Sequence, residues 1–247
     1  MIIFISPAKG FKETDRKGES LPVFLDNAKE IMGVLKDFSV EDISKAMKVK
    51  ENIALLNKER FSDFRFDSCG LAALASYDGM QYKNIDADSF DSGDFEFAEK
   101  HLRILSALYG VLKPDDSIYP YRLDFLTKIS VGDAGSLYGY WKDMIYKELS
   151  KDSNGVIVNL ASDEYSKAVK KYINGERYIS CVFKVEKNGA YKVQSTASKK
   201  ARGMMVNFIV KNRIDDPERL KEFSGGGYRY CEDMSCEDQW VFVLDEK

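Results

Sequence analysis

Apolar and polar positions along the chain switch between two periods, and the switches outline a mixed α/β (α+β) protein. Ile2–Ile5 is a short apolar run that ends at Ser6-Pro7-Ala8-Lys9-Gly10. This predicts a buried first strand that empties into a loop, and Pro7, without a backbone donor, stops the pairing. Residues 21–35 place Leu25, Ala28, Ile31, Met32 and Leu35 at helical spacing. Ser39 is an N-cap candidate with Glu41 and Asp42 behind it, and after a break at residues 48–50 a second helix is predicted over 51–61. Residues 71–77 fit either a strand or a buried helix. Residues 94–111 predict one long helix, acidic at its start and ended by Gly110 and Pro114. Residues 137–149 and 162–172 predict two more helices, and Val156–Leu160 between them a buried strand. Residues 179–187 and 190–195 alternate around Asn188-Gly189, a strong hairpin signal. A basic helix over 198–213 and a closing strand over 240–244 complete the chain. With no repeat or linker, the expectation is one domain over 1–247, a mostly buried mixed sheet flanked by helices.

Composition narrows the class. The 247 residues are 44% hydrophobic and 13% aromatic, which excludes intrinsic disorder. The net charge is −3, so the chain as a whole is not a basic nucleic-acid binder. The charge is nevertheless blocky. Residues 166–213 hold 12 basic and 2 acidic residues, and residues 214–247 hold 4 basic and 10 acidic. Such blocks allow a positive face on a net-negative molecule. No apolar run approaches the roughly 20 residues of a membrane span, so no membrane partner is expected. Four irregularly spaced cysteines and an opening without a positive leader predict a reduced, cytoplasmic protein.

Three constellations could carry chemistry. Residues 43–54 read as a helix-hairpin-helix unit, extending to about 61, with Lys48 and Lys50 where glycines would stand. Such a corner aims orphan helix N–H groups at a phosphate, and it contacts backbone rather than bases. The same pattern also suits an ordinary helical corner with solvated lysines. The cluster Ser198-Lys199-Lys200-Ala201-Arg202-Gly203 opens a predicted helix, where basic side chains are unfavourable unless an anion binds; neutralisation by the acidic C-terminal segment is the alternative. Third, the turns after Ile2–Ile5 and Val156–Leu160 bring Ser6, Lys9, Asp163 and Glu164, and Tyr121-Arg122 adds a phenol and a guanidinium. If the two strands are neighbours, these residues line one cavity at their carboxyl ends, suited to a small anionic ligand; a capping network is the other reading. His101 is the sole histidine, Cys231 and Cys236 lack zinc-site spacing, and Gly225–Gly227 follows no phosphate-loop pattern. No metal or cofactor is expected.

Five blocks, taken together and in order, resemble the YaaA family of bacterial peroxide-stress proteins. They are Ile5-Ser6-Pro7-Ala8-Lys9, the stretch from His101 to Pro114, Pro120-Tyr121-Arg122, the stretch from Asn159 to Tyr165, and Lys199-Lys200-Ala201-Arg202-Gly203. The resemblance implies an unusual mixed α/β fold, a cytoplasmic role in lowering damage from peroxide and free iron, and binding of double-stranded or branched DNA through a positive cleft and a helix-hairpin-helix element. The expected phosphate contacts are Lys9, Lys48, Lys50, Lys199, Lys200 and Arg202, without sequence specificity. The alternative is an enzyme acting on a nucleotide or phosphorylated small molecule in the cavity of Ser6, Lys9, Tyr121, Arg122, Asp163 and Glu164. No catalytic role is assigned to these residues. An enclosed cavity favours the enzyme and an open, cation-flanked groove favours DNA.

Overall fold

The computed structural model describes residues 1–245. Its centre is an eight-stranded mixed sheet. In chain order the strands are β1 (Ile2–Ile5), β2 (Leu102–Ser106), β3 (Gly110–Leu112), β4 (Val156–Leu160), β5 (Arg177–Lys187), β6 (Ala190–Lys192), β7 (Arg229–Tyr230) and β8 (Gln239–Leu244). They lie in the order β7-β8-β5-β4-β1-β2-β3, with β6 paired to β5. The five inner strands β8, β5, β4, β1 and β2 run parallel. β1 is buried at all four positions, as a central parallel strand covered on both faces must be. The expected neighbourhood of the first strand and 156–160 is present, with Ile5 opposite Leu160. On the other side Ile5 stands opposite Ile104. Three parallel strands therefore end at one level.

The helices are α1 (Leu25–Asp37), α2 (Val40–Met47), α3 (Glu51–Ser62), α4 (Ala73–Ser76), α5 (Met80–Ile85), α6 (Ser92–His101), α7 (Leu137–Trp141), α8 (Met144–Asp152), α9 (Asp163–Lys170) and α10 (Ser195–Lys211). Ser39 caps α2 in a capping box with Asp42. Buried apolar residues from Met1 to Phe242 form one core cluster. Among the described residues no helix is long and apolar enough to cross a membrane.

Several predicted elements are corrected. The helix expected over 94–111 ends at His101, and Leu102 to Ser106 is strand β2, buried at every position. Ser106 Oγ accepts the backbone N–H groups of Leu108 and Tyr109, which turns the chain into β3. Gly110 then adopts φ 70° against Trp141 and Phe24, leaving no room for a side chain. The helix expected over 137–149 is two helices, broken at Lys142 with φ 45°. Residues 71–77 hold two short strand pairings around α4. The second arm of the hairpin stops at Lys192, and α10 starts at Ser195, three residues before the basic cluster. Lys199, Lys200 and Arg202 therefore sit in its second and third turns rather than at its start.

Candidate anion-binding cleft

The cleft forms where β1 and β4 end. Beyond Ile5 the chain turns through Ser6, and beyond Leu160 it reaches Ser162, the N-cap of α9. The Ser162 N–H donates to Ser6 Oγ at 2.9 Å, which clamps the two loops together. Tyr82 on α5 donates its hydroxyl to the Ser6 carbonyl at 2.9 Å, and the Gln81 amide reaches the Leu160 carbonyl at 3.3 Å. Tyr121 is buried, its hydroxyl 2.6 Å from Ser106 Oγ at the end of β2 and 2.7 Å from the Tyr77 hydroxyl. That anchor sets Arg122 at the wall.

Helix α10 supplies the opposite wall. It lies on α5 so closely that a Cβ at Gly203 would stand 2.2 Å from the Gln81 carbonyl oxygen. Glycine there admits the contact. Ser195, Lys199 and Arg202 share one face of α10 by their spacing and line the cleft, together with Ser6, Lys9, Tyr121, Arg122, Asp124 and Glu164. The cavity measures about 500 Å³, within the range that holds a drug-sized ligand.

Three polar atoms of residues that line the cleft are buried without a hydrogen-bond partner among the described residues: Arg122 Nε, Arg202 Nε and Glu164 Oε1. Burial pushes the Arg202 pKa down, with the more distant Asp163 carboxylate and Cys181 opposing. Burial pushes the Glu164 pKa up, Asp124 adds to the rise, and the Leu126 amide and Lys9 oppose it. Lys9 is paired with Asp124 at 2.7 Å. Arg122, Lys199 and Arg202 enter no ion pair among the described residues, and they share the cleft with the carboxyls of Asp78, Asp124 and Glu164.

The structure brings Ser6, Lys9, Tyr121, Arg122, Glu164, Lys199 and Arg202 together at one cleft and leaves others out. Asp163, expected in the cavity, is exposed in the first turn of α9 and does not line it. Adjacent helical residues point about 100° apart, so only Glu164 faces inward. Lys200 is exposed and lies outside the lining. Lys48 and Lys50 are exposed at the corner between α2 and α3, apart from the cleft lining. Lys48 closes α2 in the left-handed region, with φ 51°, so it occupies a position that favours glycine. Asp124, Gln81 and Tyr82 escaped the sequence reading. Asp124 was signalled only by its place two residues after Arg122.

The acidic C-terminal stretch pairs elsewhere. Asp238 faces Lys170, Glu218 meets Arg177, and Asp245 meets Arg229. Lys211 and Arg213 of the basic block are held by Asp94. What remains positive at the cleft is therefore not neutralised by the tail described here. The thiols offer little to peroxide at this site: Cys181 is buried and its pKa is pushed up to about 12 by burial, with Arg202 opposing. Among the described residues no three His, Cys, Asp or Glu side chains gather as a metal site.

A family model described as peroxide stress protein YaaA matches residues 1–234. A UPF0246 protein of Clostridioides difficile is 52% identical, covering 99% of this chain and 100% of its own. UPF0246 proteins of Teredinibacter turnerae and Ligilactobacillus salivarius are 41% and 40% identical, each over 98% of this chain and 99% of its own. With cover this complete, the chain belongs to the peroxide stress protein YaaA family.

Proposed function

We propose that this protein acts in the cytoplasmic peroxide-stress response by binding DNA through its phosphates, largely without sequence specificity, and so limits iron-dependent oxidative damage. The observation that carries the reading is the meeting of Arg122, Lys199 and Arg202 at one cleft without partner carboxylates among the described residues. Lys9 lines the same cleft, and the exposed Lys200 and, on the helical corner, Lys48 and Lys50 offer further phosphate contacts. Cations seated on phosphates displace the counterions condensed there. Ferrous ions are such counterions, so a coated duplex holds less iron where peroxide would act on it.

Affinity for an arbitrary duplex, measured by fluorescence anisotropy across a salt titration, tests the reading. Each phosphate neutralised contributes about 0.9 to the log–log salt slope. Replacing Lys199→Glu and Lys200→Glu together lowers the slope by about 2 and weakens binding at low salt. Unchanged affinity, or affinity confined to one sequence, overturns it.

A second reading is favoured by one feature, the size of the cavity. At about 500 Å³ it accepts a nucleotide but not a duplex. An enzyme acting on a nucleotide or phosphorylated small molecule would hold the phosphate on Arg122 and Arg202 and use Glu164 at the other end. Turnover of such a compound by the purified protein, lost in Glu164→Gln, is its mark.

A further inference from the structure

Outside the cleft, two free thiols share one edge of the sheet. Strand β7 pairs with β8 so that Arg229 stands opposite Val243 and Tyr230 opposite Phe242. The ladder runs one step further, where the Cys231 N–H donates to the Val241 carbonyl at 2.9 Å. The chain then bulges out through a 3-10 turn at Glu232–Met234. It returns to the same edge where Cys236 pairs with Gln239 across the turn Glu237-Asp238. Ser235 Oγ holds the bulge, accepting the Val241 N–H at 2.9 Å and donating to the Cys231 carbonyl at 2.7 Å. Partners in an antiparallel ladder point to the same face, and so do residues two apart on one strand. Val241 and Gln239 are two apart, so Cys231 and Cys236 share a face. Two steps along a strand are about 6.6 Å, within the Cα separation of up to about 6.8 Å that a disulfide spans. Cys231 is half-buried and Cys236 exposed, and the Cys236 thiol donates to the Asp238 carboxylate at 3.2 Å.

We propose that Cys231 and Cys236 are a peroxide-oxidisable dithiol, closed by hydrogen peroxide into an intrachain disulfide and reopened by thiols. This goes beyond the DNA reading and stands without it. Cys236 reacts first, being the exposed thiol with a proton acceptor in place. Its proton passes to the Asp238 carboxylate and its sulfur attacks one peroxide oxygen. An S–O bond forms, the O–O bond breaks, and the departing hydroxide takes the proton and leaves as water. The Cys231 sulfur, on the same face, then attacks the Cys236 sulfur. The S–S bond forms, the S–O bond breaks, and hydroxide leaves with the Cys231 proton as a second water. The two thiols together lose two electrons, and one peroxide is reduced to two waters. The exposed Glu232, Asp233 and Glu237 adjoin the pair. Their negative charge slows attack by a thiolate, so the pair responds to abundant peroxide rather than to traces. A disulfide at an exposed edge is open to reducing thiols, which makes the closure reversible.

Peptide mass mapping of the full-length protein after hydrogen peroxide treatment tests it, with remaining thiols blocked by iodoacetamide before trypsin. The tryptic peptide that begins at Tyr230 holds both cysteines and neither Cys69 nor Cys181. In the wild type it escapes alkylation and is lighter by two hydrogens, and dithiothreitol restores both thiols. Cys69→Ser behaves in the same way. In Cys231→Ser the oxidised Cys236 has no partner, so dimedone traps its sulfenic acid, an adduct that the wild type loses to the disulfide. In Cys236→Ser the remaining Cys231 stays open to alkylation. Both positions reach solvent, so serine is tolerated at each, and the melting temperatures of the variants check this. The dithiol is overturned if both cysteines remain alkylatable at a peroxide excess that oxidises free glutathione. It is equally overturned by a dimedone adduct as abundant in the wild type as in Cys231→Ser, or by disulfides that join two chains in place of the intrachain bond.

Discussion

Ser6 and Ser162 stand 156 residues apart in sequence, yet the Ser162 backbone N–H donates to Ser6 Oγ at 2.9 Å. This contact fastens the loop after β1 to the N-cap of α9. It gives the backbone N–H of the cap position a side-chain partner, although the Ser162 side chain makes no capping bond. Cleft residues flank the contact, Lys9 on the loop after β1 and Glu164 in the first turn of α9. Ser6→Ala removes the acceptor and leaves a partly buried N–H unpaired. The expected cost is about 1 kcal/mol, read as a lower midpoint in urea unfolding with an unchanged slope. The same variant weakens phosphate binding because the walls lose their register; stability at the wild-type level would show that the clamp is incidental.

Arg202 is a charge placed at an energetic disadvantage. Its pKa is driven down by burial, and no described residue accepts a hydrogen bond from it. Such a group destabilises the empty protein and is stabilised by an anion. Arg202→Met, which fills similar volume without charge, is expected to raise Tm of the ligand-free protein by about 2–4 °C, for roughly 1 kcal/mol gained. The variant loses the Tm increase that phosphate compounds give the wild type. A scanning thermal melt with and without ligand reads both effects, and a lower Tm without ligand contradicts the assignment of Arg202 as a binding group.

The parts of this cleft that the sequence discloses share a physical cause. β1 and β4 are short β-branched and apolar runs ended by turn residues, so their carboxyl ends and the polar residues beyond them are readable. Asn188 and Gly189 adopt φ 54° and 74°, the left-handed pair that an Asn-Gly hairpin predicts. The stretch from Leu102 to Ser106 misleads because a strand buried on both faces has no alternation. Leu102 and Leu105, with Leu108 just beyond, also happen to fall at helical spacing and so continue the pattern of α6. Gln81 and Tyr82 could not be found from pattern, since α5 has six residues and reaches the cleft only because Gly203 lets α10 press on it. Lys199 and Lys200 are equivalent as letters, and only the helical rotation separates the one that lines the cavity from the one that does not.

Asp94 ties α6 to α10. It is almost fully buried, at 3% exposure. Burial alone would raise its pKa, but hydrogen bonds from Lys211, at 2.7 Å, and from Arg213 outweigh it and hold the carboxyl at about 2. A carboxyl depressed in the folded state contributes stability that is present above its ordinary value near 3.8 and is lost as pH falls through about 2. Asp94→Asn leaves two cations short of a partner. Because both reach solvent, the expected loss at pH 7 is roughly 2–3 kcal/mol, below that for a fully enclosed pair. The gap between wild type and variant narrows between pH 4 and pH 2, which denaturant titrations at several pH values measure. A gap that stays constant across that range argues against the ion-pair account.

Glu164 carries the opposite sign. Burial first, and Asp124 second, raise its pKa in the folded protein. A carboxyl raised in this way is most compatible with folding while protonated. Its contribution is therefore full below the ordinary value near 4.5 and is lost as pH rises through the elevated one. Glu164→Gln keeps the shape and an oxygen to accept the neighbouring amides, and it removes the ionisation. The variant is expected to melt above the wild type at pH 7.5, with the difference shrinking to nothing near pH 4. Melting curves at pH 4, 5.5 and 7.5 separate the outcomes: a variant that melts below the wild type at every pH would mean that Glu164 is held by contacts within the protein rather than kept open for a ligand.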